Sequence, residues 1–121
     1  MGKLADDTVL DGALDIVATA TELYICTAEP TSRANADSIS LIAAHTMSGA
    51  DFTNANGDTN GRKCTVAEQS SLTLDATGDA THIALCTAST LLYVTTCTTQ
   101  TLTSGGTVTV PAWDIEIADP T

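Results

Sequence analysis

Positive charge is what this sequence has least of. Four lysine and arginine residues stand against fifteen aspartates and glutamates, which gives a formal net charge of −11. A surface of this sign repels phosphate groups, so nucleic acids and anionic membranes are poor candidate partners. We therefore expect neither a nucleic-acid partner nor a membrane partner, and we interpret the acidity chiefly as a source of solubility.

Long apolar runs and aromatic residues are also scarce. No apolar segment approaches the roughly 20 residues that a membrane-spanning helix needs. The start of the sequence, MGKLADD, lacks a basic segment followed by an apolar one, so we expect no secretory signal and synthesis in a cytoplasm. Aromatic residues make up only 3% of the chain, which predicts an aliphatic core.

Motifs for catalysis and for nucleotide binding are missing. The sequence contains no GxSxG, GxGxxG, GxxxxGK[ST] or HExxH pattern. His45 and His82 each stand alone, outside any spacing that is typical of metal ligands. Asp114 and Glu116 alternate on one predicted strand, which favours a solvated face over a catalytic pair. We therefore predict that the protein is not an enzyme and has no cofactor.

The nearest approach to a metal-binding motif is the segment NANGDTNG. From Asn56 to Gly61 it matches the first half of a calcium-binding loop, which places oxygen ligands at alternating positions and a glycine at the sixth. The twelfth position, which should be a bidentate glutamate, is Ala67, and the first ligand would be the neutral Asn56. These departures favour a plain hairpin turn over a calcium site.

What the sequence has in abundance is threonine, at about a fifth of all residues. Together with valine and isoleucine it favours strands, because branching at Cβ suits a pleated surface. Short strands separated by turns run from about residue 22 to about residue 118. We predict one mainly β domain over residues 1–121, an antiparallel β-sandwich or barrel-like domain with one N-terminal helix at about 6–20.

The helix is predicted from an apolar stripe that contains Leu10, Leu14 and Val17 at helical spacing. Asp6 and Asp7 stand at its start, where acidic residues cap the helix and complement its dipole. We expect the stripe to pack either on the sheet or on a partner subunit.

The central element is predicted to be a β-hairpin over residues 81–99, THIALCTASTLLYVTTCTT. With a turn at Ser89-Thr90, Leu85 should face Val94 and Cys97 should face His82, because the two-residue period fixes which positions oppose each other. The same register separates Cys86 from Cys97 by too much for a disulfide bond.

Several connecting segments are predicted from local composition. Residues 31–37 read as a polar loop, residues 38–44 favour a strand, and residues 47–52 favour an extended segment. Asn60-Gly61 is a strong hairpin signal, because both residues tolerate positive φ. The remaining strands are expected at 23–28, 62–68, 71–75, 107–110 and 113–118.

Four cysteines occur without CxxC spacing, which disfavours zinc binding and thioredoxin-like chemistry. Cys26 and Cys86 lie in apolar strands and should be small buried residues. Cys64 follows Arg62 and Lys63, and two interpretations stay open for it. Near a hairpin tip it would be partly exposed and could form an intermolecular disulfide, with Cys97 as the next candidate; alternatively it points inward with Val66 and is inert.

Several phrases together carry a resemblance: LDGALDIV in the helix, then LYICTAEPTS, FTNANGDTNGRKCTV, GDATHIALC and LLYVTTCTTQTLTSGGTVTVPAWDIEIADPT. The chain resembles small structural proteins encoded in the head genes of tailed bacteriophages, most clearly over residues 57–121. The resemblance implies a virion protein on the capsid exterior, a decoration or cement protein that stabilises the head by bridging capsomers. It further implies the major capsid protein as partner and a homo-oligomer, with a trimer favoured. The four cysteines depart from this pattern.

The sequence also leaves two alternatives to a decoration protein. One is a tail, neck or receptor-binding component of the virion, which would be present in few copies. The other is a small ligand- or calcium-binding module, which would be stabilised by its ligand.

Overall fold

The computed structural model describes residues 3–120, in which 45% of the chain is strand. Helix α1 spans Asp7–Val17 and helix α2 spans Arg33–Ser38, and a 3₁₀ turn lies at Gly49–Asp51. The strands are β1 (Glu22–Cys26), β2 (His45–Thr46), β3 (Phe52–Asn56), β4 (Arg62–Val66), β5 (Gln69–Thr73), β6 (Gly78–Cys86), β7 (Leu91–Leu102), β8 (Thr107–Val110) and β9 (Trp113–Ile117).

The described strands form three antiparallel sheets. The largest has the order β2-β1-β6-β7, the second has the order β3-β4-β9, and β5 pairs with β8 in the third. The prediction of a mainly β, antiparallel, sandwich-like fold with an N-terminal helix is confirmed.

The main core lies where the four-stranded sheet faces the other strands. Leu23, Ile25 and Leu85 from the large sheet belong to one cluster with Val66 and Ile115 from the second sheet. All of these side chains are buried, and they are aliphatic, as the shortage of aromatic residues predicts. Burial of such side chains contributes roughly 1.5–3 kcal/mol each and supplies most of the folding free energy.

The opposite face of the large sheet carries a second, smaller core. Tyr24 and Cys26 of β1 and Ala84 and Cys86 of β6 are buried there beneath Ala36 of α2. Because successive side chains of a strand point to opposite faces, β1 is buried on both sides and reads as the continuous apolar run LYIC.

Helix α1 begins after Asp6, whose carboxylate accepts a hydrogen bond from the backbone N–H of Thr8 at 2.8 Å. The helix ends at Val17, three residues before the predicted end. Leu10 and Leu14 are buried, and Val17 packs against the main core. Of the two packing partners expected for this stripe, the structure shows the sheet, with β4 as the main neighbour.

The predictions for residues 31–52 are largely wrong. The polar loop contains α2, which is capped by the Ser32 side chain accepting from the Asn35 N–H at 3.1 Å. In place of a strand at 38–44, Ser40 makes a single bridge to Cys26. In place of an extended segment at 47–52, the 3₁₀ turn is held by the Asp51 carboxylate, which accepts from Ser48 N–H at 2.9 Å. Short polar residues capped these local turns, which the apolar alternation did not reveal.

The predicted register of the central hairpin is wrong by one residue. Leu85 lies opposite Tyr93, and the two-residue turn is Ala88-Ser89, closed by a hydrogen bond of 2.9 Å from Thr87 N–H to the Thr90 carbonyl. The Thr87 hydroxyl accepts from the Thr90 N–H at 3.0 Å and stabilises this turn. An irregularity next to Cys86 then shifts the register, which breaks the strict parity that the prediction assumed.

A second irregularity lies further along the same hairpin, between the pairs Ala80–Gln100 and His82–Thr96. Residues 97–99 oppose Thr81 alone, so β7 is bulged there. Cys97 therefore lies in the bulge and does not face His82, contrary to the prediction.

The hairpin at Asn60-Gly61 is confirmed, as the connection between β3 and β4. Gly61 has φ of +71°, a conformation that favours glycine. The backbone of residue 117 also approaches so closely that a Cβ on Gly61 would lie 2.0 Å from the Ile117 carbonyl oxygen. This glycine is therefore required both by its own turn and by the packing of β9.

Candidate assembly site: an open seam beside strand β7

Strand β7 is the edge of the four-stranded sheet. Within residues 3–120 it pairs with β6 along one side, and no strand pairs with its other side. Such an edge presents a row of unpaired N–H and C=O groups, which proteins usually protect with lysine, proline or a short strand. Strand β7 is long, and its sequence, LLYVTTCTTQTL, contains neither a charged residue nor a proline. Its bulge is the one protective device it carries.

A groove lies between this edge and the strands β8 and β9; we call it the seam. It contains two cavities of about 230 and 250 Å³. The chain turns at residues 103–106, where Gly105 has φ of +89°, and β8 then pairs with β5 instead of β7. Strand β7 therefore forms one side of the seam and strands β8 and β9 form the other, with no strand pairing between the two sides. The residues that border the seam are Ile25, Ala80, Ile83, Thr95, Thr96, Cys97, Thr98, Gln100, Leu102, Val108, Thr109, Val110, Pro111, Trp113 and Asp114.

The seam has an apolar floor and a polar, uncharged rim. Ile25 and Ile83 of the main core and Val110 of β8 line the floor, whereas exposed Thr98 and Gln100 form part of the rim. No basic residue borders either cavity, and Asp114 stands at one end. The arrangement suits an apolar segment with backbone hydrogen-bonding groups and no strong negative charge.

Trp113, at the start of β9, borders the second cavity and stacks on Tyr93, with ring centroids 5.7 Å apart. Its Nε1–H is buried and has no hydrogen-bond partner in the described part of the chain. Buried donors of this kind are uncommon, because leaving one unpaired costs about 1–3 kcal/mol. Because this nitrogen is buried, an acceptor from outside the chain does not reach it in the structure as it stands.

Asp114 is held by its neighbours on β4. It accepts hydrogen bonds from the Thr65 hydroxyl at 2.7 Å and from Lys63 Nζ at 3.2 Å. These bonds stabilise the carboxylate and lower the pKa of Asp114. Asp114 is therefore charged at neutral pH, and Lys63 offsets much of that charge at this end of the seam.

The expectation that Cys64 is partly exposed is wrong. Its exposed fraction is 0%, and it lies in the main core, pointing inward with Val66 as the alternative interpretation held. Burial raises the pKa of the Cys64 thiol. The neighbouring cations do not activate it, because Arg62 binds Asp11 at 2.8 Å and Lys63 binds Asp58 at 2.7 Å. The proposed disulfide through Cys64 loses its physical basis.

The other thiols divide into two kinds. Cys26 and Cys86 are fully buried, and burial raises the pKa of Cys26 to about 12 and that of Cys86 to about 11. Both are small buried residues of the second core, as predicted, and their burial should make them unreactive. Cys97 is the half-buried one, and it borders the seam. An intermolecular disulfide through Cys97 stays a prediction.

The calcium-like loop has its oxygens occupied by the chain's own cations. Lys63 Nζ lies 2.7 Å from the Asp58 carboxylate, and Arg62 donates to the Asn56 side-chain oxygen at 2.7 Å. Among residues 3–120, no group of three or more histidine, cysteine, aspartate or glutamate side chains is placed to hold a metal ion. His45 is hydrogen-bonded to Gln69 at 2.8 Å, and His82 to Thr81 at 2.8 Å.

No known protein family, curated protein or solved structure matches the chain. In the described residues, no helix combines the length and the apolar character that crossing a membrane requires. The seam was not foreseen from the sequence. Its signal there is the run from Leu91 to Leu102, a long strand pattern without a charged residue in a chain of net charge −11.

Proposed function

We propose that this protein is a structural component of a bacteriophage virion, a decoration protein on the capsid exterior that stabilises the head by bridging capsomers. The observation that carries the proposal is the open edge of β7, long and uncharged in an otherwise acidic chain. An edge of this kind favours attachment to another protein. The resemblance to head-gene proteins supplies the setting.

The charge of the protein supports an exterior position. Packaged DNA would repel a chain of net charge −11, whereas the outer surface of a capsid is in contact with solvent. The partner in this proposal is the major capsid protein. The protein is made in the host cytoplasm and remains with the particle.

A homo-oligomer, with a trimer favoured, is part of the same proposal. Helix α1 keeps apolar side chains in solvent, with Val9 exposed by 67% and Ile16 by 61%, and Leu4 just before the helix is exposed by 88%. Contact between subunits through these residues would remove them from water. Light scattering of the purified protein measures the number of subunits.

Quantitative mass spectrometry of purified particles tests the proposed function. A decoration protein is expected in many copies, in a fixed ratio to the major capsid protein. A tail, neck or receptor-binding component would be present in few copies, which would replace the proposal by that alternative. Absence from the particles would contradict both.

A further inference from the structure

We propose that the seam binds an extended, lysine- or arginine-flanked segment of a partner protein, which adds a strand alongside β7. That the segment belongs to a capsid protein rests on the proposed function. The binding chemistry rests on the seam alone.

The open edge of β7 determines the conformation of the bound segment. Its outward N–H and C=O groups lie along one side of a strand and have no strand partner in the described chain. Only another extended backbone can satisfy such a row in register, as in other cases of strand addition to a sheet edge. Strands β8 and β9 also lie at the ends of their sheets, so an added strand has unpaired edges on both sides.

The length of the cavities determines the length of the segment. The lining residues of β7 fall within residues 95–102, but the bulge shortens this stretch, which spans six residues of β6, 78–83, or about 20 Å at roughly 3.3 Å per residue. Alternate side chains of a bound strand would point toward the apolar floor formed by Ile25, Ile83 and Val110. The segment should therefore have about six residues in the seam between its basic flanks, with β-branched apolar side chains at every second position.

The charges around the seam determine which partner is favoured. The one charged residue that borders the cavities is Asp114, which is paired with Lys63 at 3.2 Å, and no basic residue borders them. A second copy of this chain is a poor occupant, because it also carries a net charge of −11. Its Arg33, Arg62 and Lys63 are already paired with its own carboxylates. A segment with basic flanks meets no like charge along the seam and is attracted by the net charge of −11 of the whole chain.

Trp113 provides a reporter. Its side chain borders the second cavity and stacks on Tyr93, so a bound segment would change the surroundings of the indole ring. Trp113 is also the one tryptophan in the sequence, so the intrinsic tryptophan fluorescence of the protein reports on the seam.

The test uses three capped synthetic octapeptides added to the purified full chain. The first is Lys-Thr-Val-Thr-Val-Thr-Val-Lys, the second has glutamate in place of both lysines, and the third has proline in place of the two central residues. We expect a saturable change in Trp113 fluorescence with the lysine peptide. The glutamate peptide should bind at least about tenfold more weakly because of repulsion, and the proline peptide should not bind because it lacks the two central backbone donors.

Two matched variants locate the binding. Thr98→Lys places a positive charge on the rim of the seam, and Thr53→Lys makes the same change at an exposed position of β3, another edge strand. The two changes alter the net charge equally. We expect Thr98→Lys to lower the affinity for the lysine peptide by at least about fivefold and Thr53→Lys to change this affinity by less than about twofold. Equal melting temperatures show that both variants are folded.

Three results would overturn the inference: no fluorescence change with the lysine peptide, equal binding of the lysine and glutamate peptides, or equal effects of the two variants. A fourth result is self-association of the protein, with Thr98→Lys abolishing the association and Thr53→Lys preserving it. That result would show that a second copy of the chain occupies the seam, which also contradicts the inference. These results leave the copy number on the virion untouched, so failure here is distinguishable from failure of the proposed function.

Discussion

Strands β1 and β7 belong to the same sheet, yet they are built in opposite ways. Strand β1 has a neighbour on each side and is covered on both faces, with Leu23, Tyr24 and Cys26 each exposed by 0%. Strand β7 has a neighbour on one side only, and from Leu91 to Thr101 it contains no fully buried residue. The contrast teaches that strand formation and burial are separate requirements in this protein.

Its threonine residues explain how β7 remains a strand without being buried. The branched Cβ of threonine favours the extended backbone, and its hydroxyl group is compatible with solvent. The exposed side chains of β7 are thus hydrated through hydroxyl groups instead of charges. As a consequence, the backbone edge of β7 is open to another strand, whereas a charged edge would repel one.

The largest expected effect comes from placing a charge in the interior. Leu14 is exposed by 1%, so Leu14→Asp should destabilise the fold by about 4 kcal/mol or more, because it buries an unpaired carboxylate. Ile16→Asp, on the solvent side of the same helix, should change the unfolding free energy of the monomer by less than about 0.5 kcal/mol, whereas its effect on the proposed subunit contact is measured separately by the number of subunits. Urea unfolding measures both variants, and equal stability of the two would mean that α1 does not dock as described.

A smaller effect is expected from deleting apolar volume at the centre of the sheet. Leu85 on β6 is exposed by 0%, and Leu85→Ala should cost about 2–5 kcal/mol because it leaves a cavity. Thr98→Ala, at an exposed position of β7, should cost less than about 0.5 kcal/mol. Urea unfolding measures both variants. A loss of stability at Thr98 comparable to that at Leu85 would contradict the contrast between the buried strand β6 and the exposed strand β7.

The ion pair beside the second core should make stability depend on pH. Arg33 Nη2 donates to both carboxylate oxygens of Glu22 at 2.9 Å, and these hydrogen bonds lower the pKa of Glu22 below 4.5. The stabilisation is therefore present above pH 4.5 and is lost as the pH falls through the lower folded-state pKa. Glu22→Gln should cost about 1 kcal/mol at pH 7 and flatten the loss of stability in acid.

Asp114→Asn on β9 provides the matched change at a more exposed ion pair. The pKa of Asp114 is also lowered, but its side chain is 35% exposed, against 16% for Glu22. Solvent screening should make its effect on the acid transition smaller. Unfolding free energies between pH 7 and pH 3 test this order, and a larger effect at Asp114 would reverse it.

The smallest effect on stability is expected at Cys97. Here the difference between exposed β7 and the buried core should appear in the reactivity of the thiols. In the native protein one thiol should react with a maleimide at least about a hundredfold faster than the others, because Cys26, Cys64 and Cys86 are buried. Cys97→Ser should remove this fast phase and leave the melting temperature nearly unchanged. Mass spectrometry of the labelled protein identifies the site; rapid labelling of Cys64 would contradict its placement in the core.

The elements with strong periodicity were predictable from the sequence. The stripe of Leu10 and Leu14 identified the helix, and alternation identified β6 through β9, because both signals arise from burial of one face. The hairpin register was not predictable, since the turn at Ala88-Ser89 and the bulge at Cys97 depend on side-chain hydrogen bonds and neighbouring strands.

The candidate site was harder to predict than the fold. The seam depends on β8 pairing with β5 instead of β7, a tertiary choice that local composition does not encode. Helix α2 was missed for a related reason. It is short and polar, and its cap at Ser32 and the ion pair of Arg33 with Glu22 stabilise it in place of an apolar stripe.

Heat-induced DNA release from particles tests the central claim most directly. Particles that lack this protein should release DNA at a lower temperature than complete particles, and adding back purified protein should restore the higher temperature. If the added strand carries the attachment, Thr53→Lys should restore it and Thr98→Lys should not. Identical release temperatures with and without the protein would contradict the account.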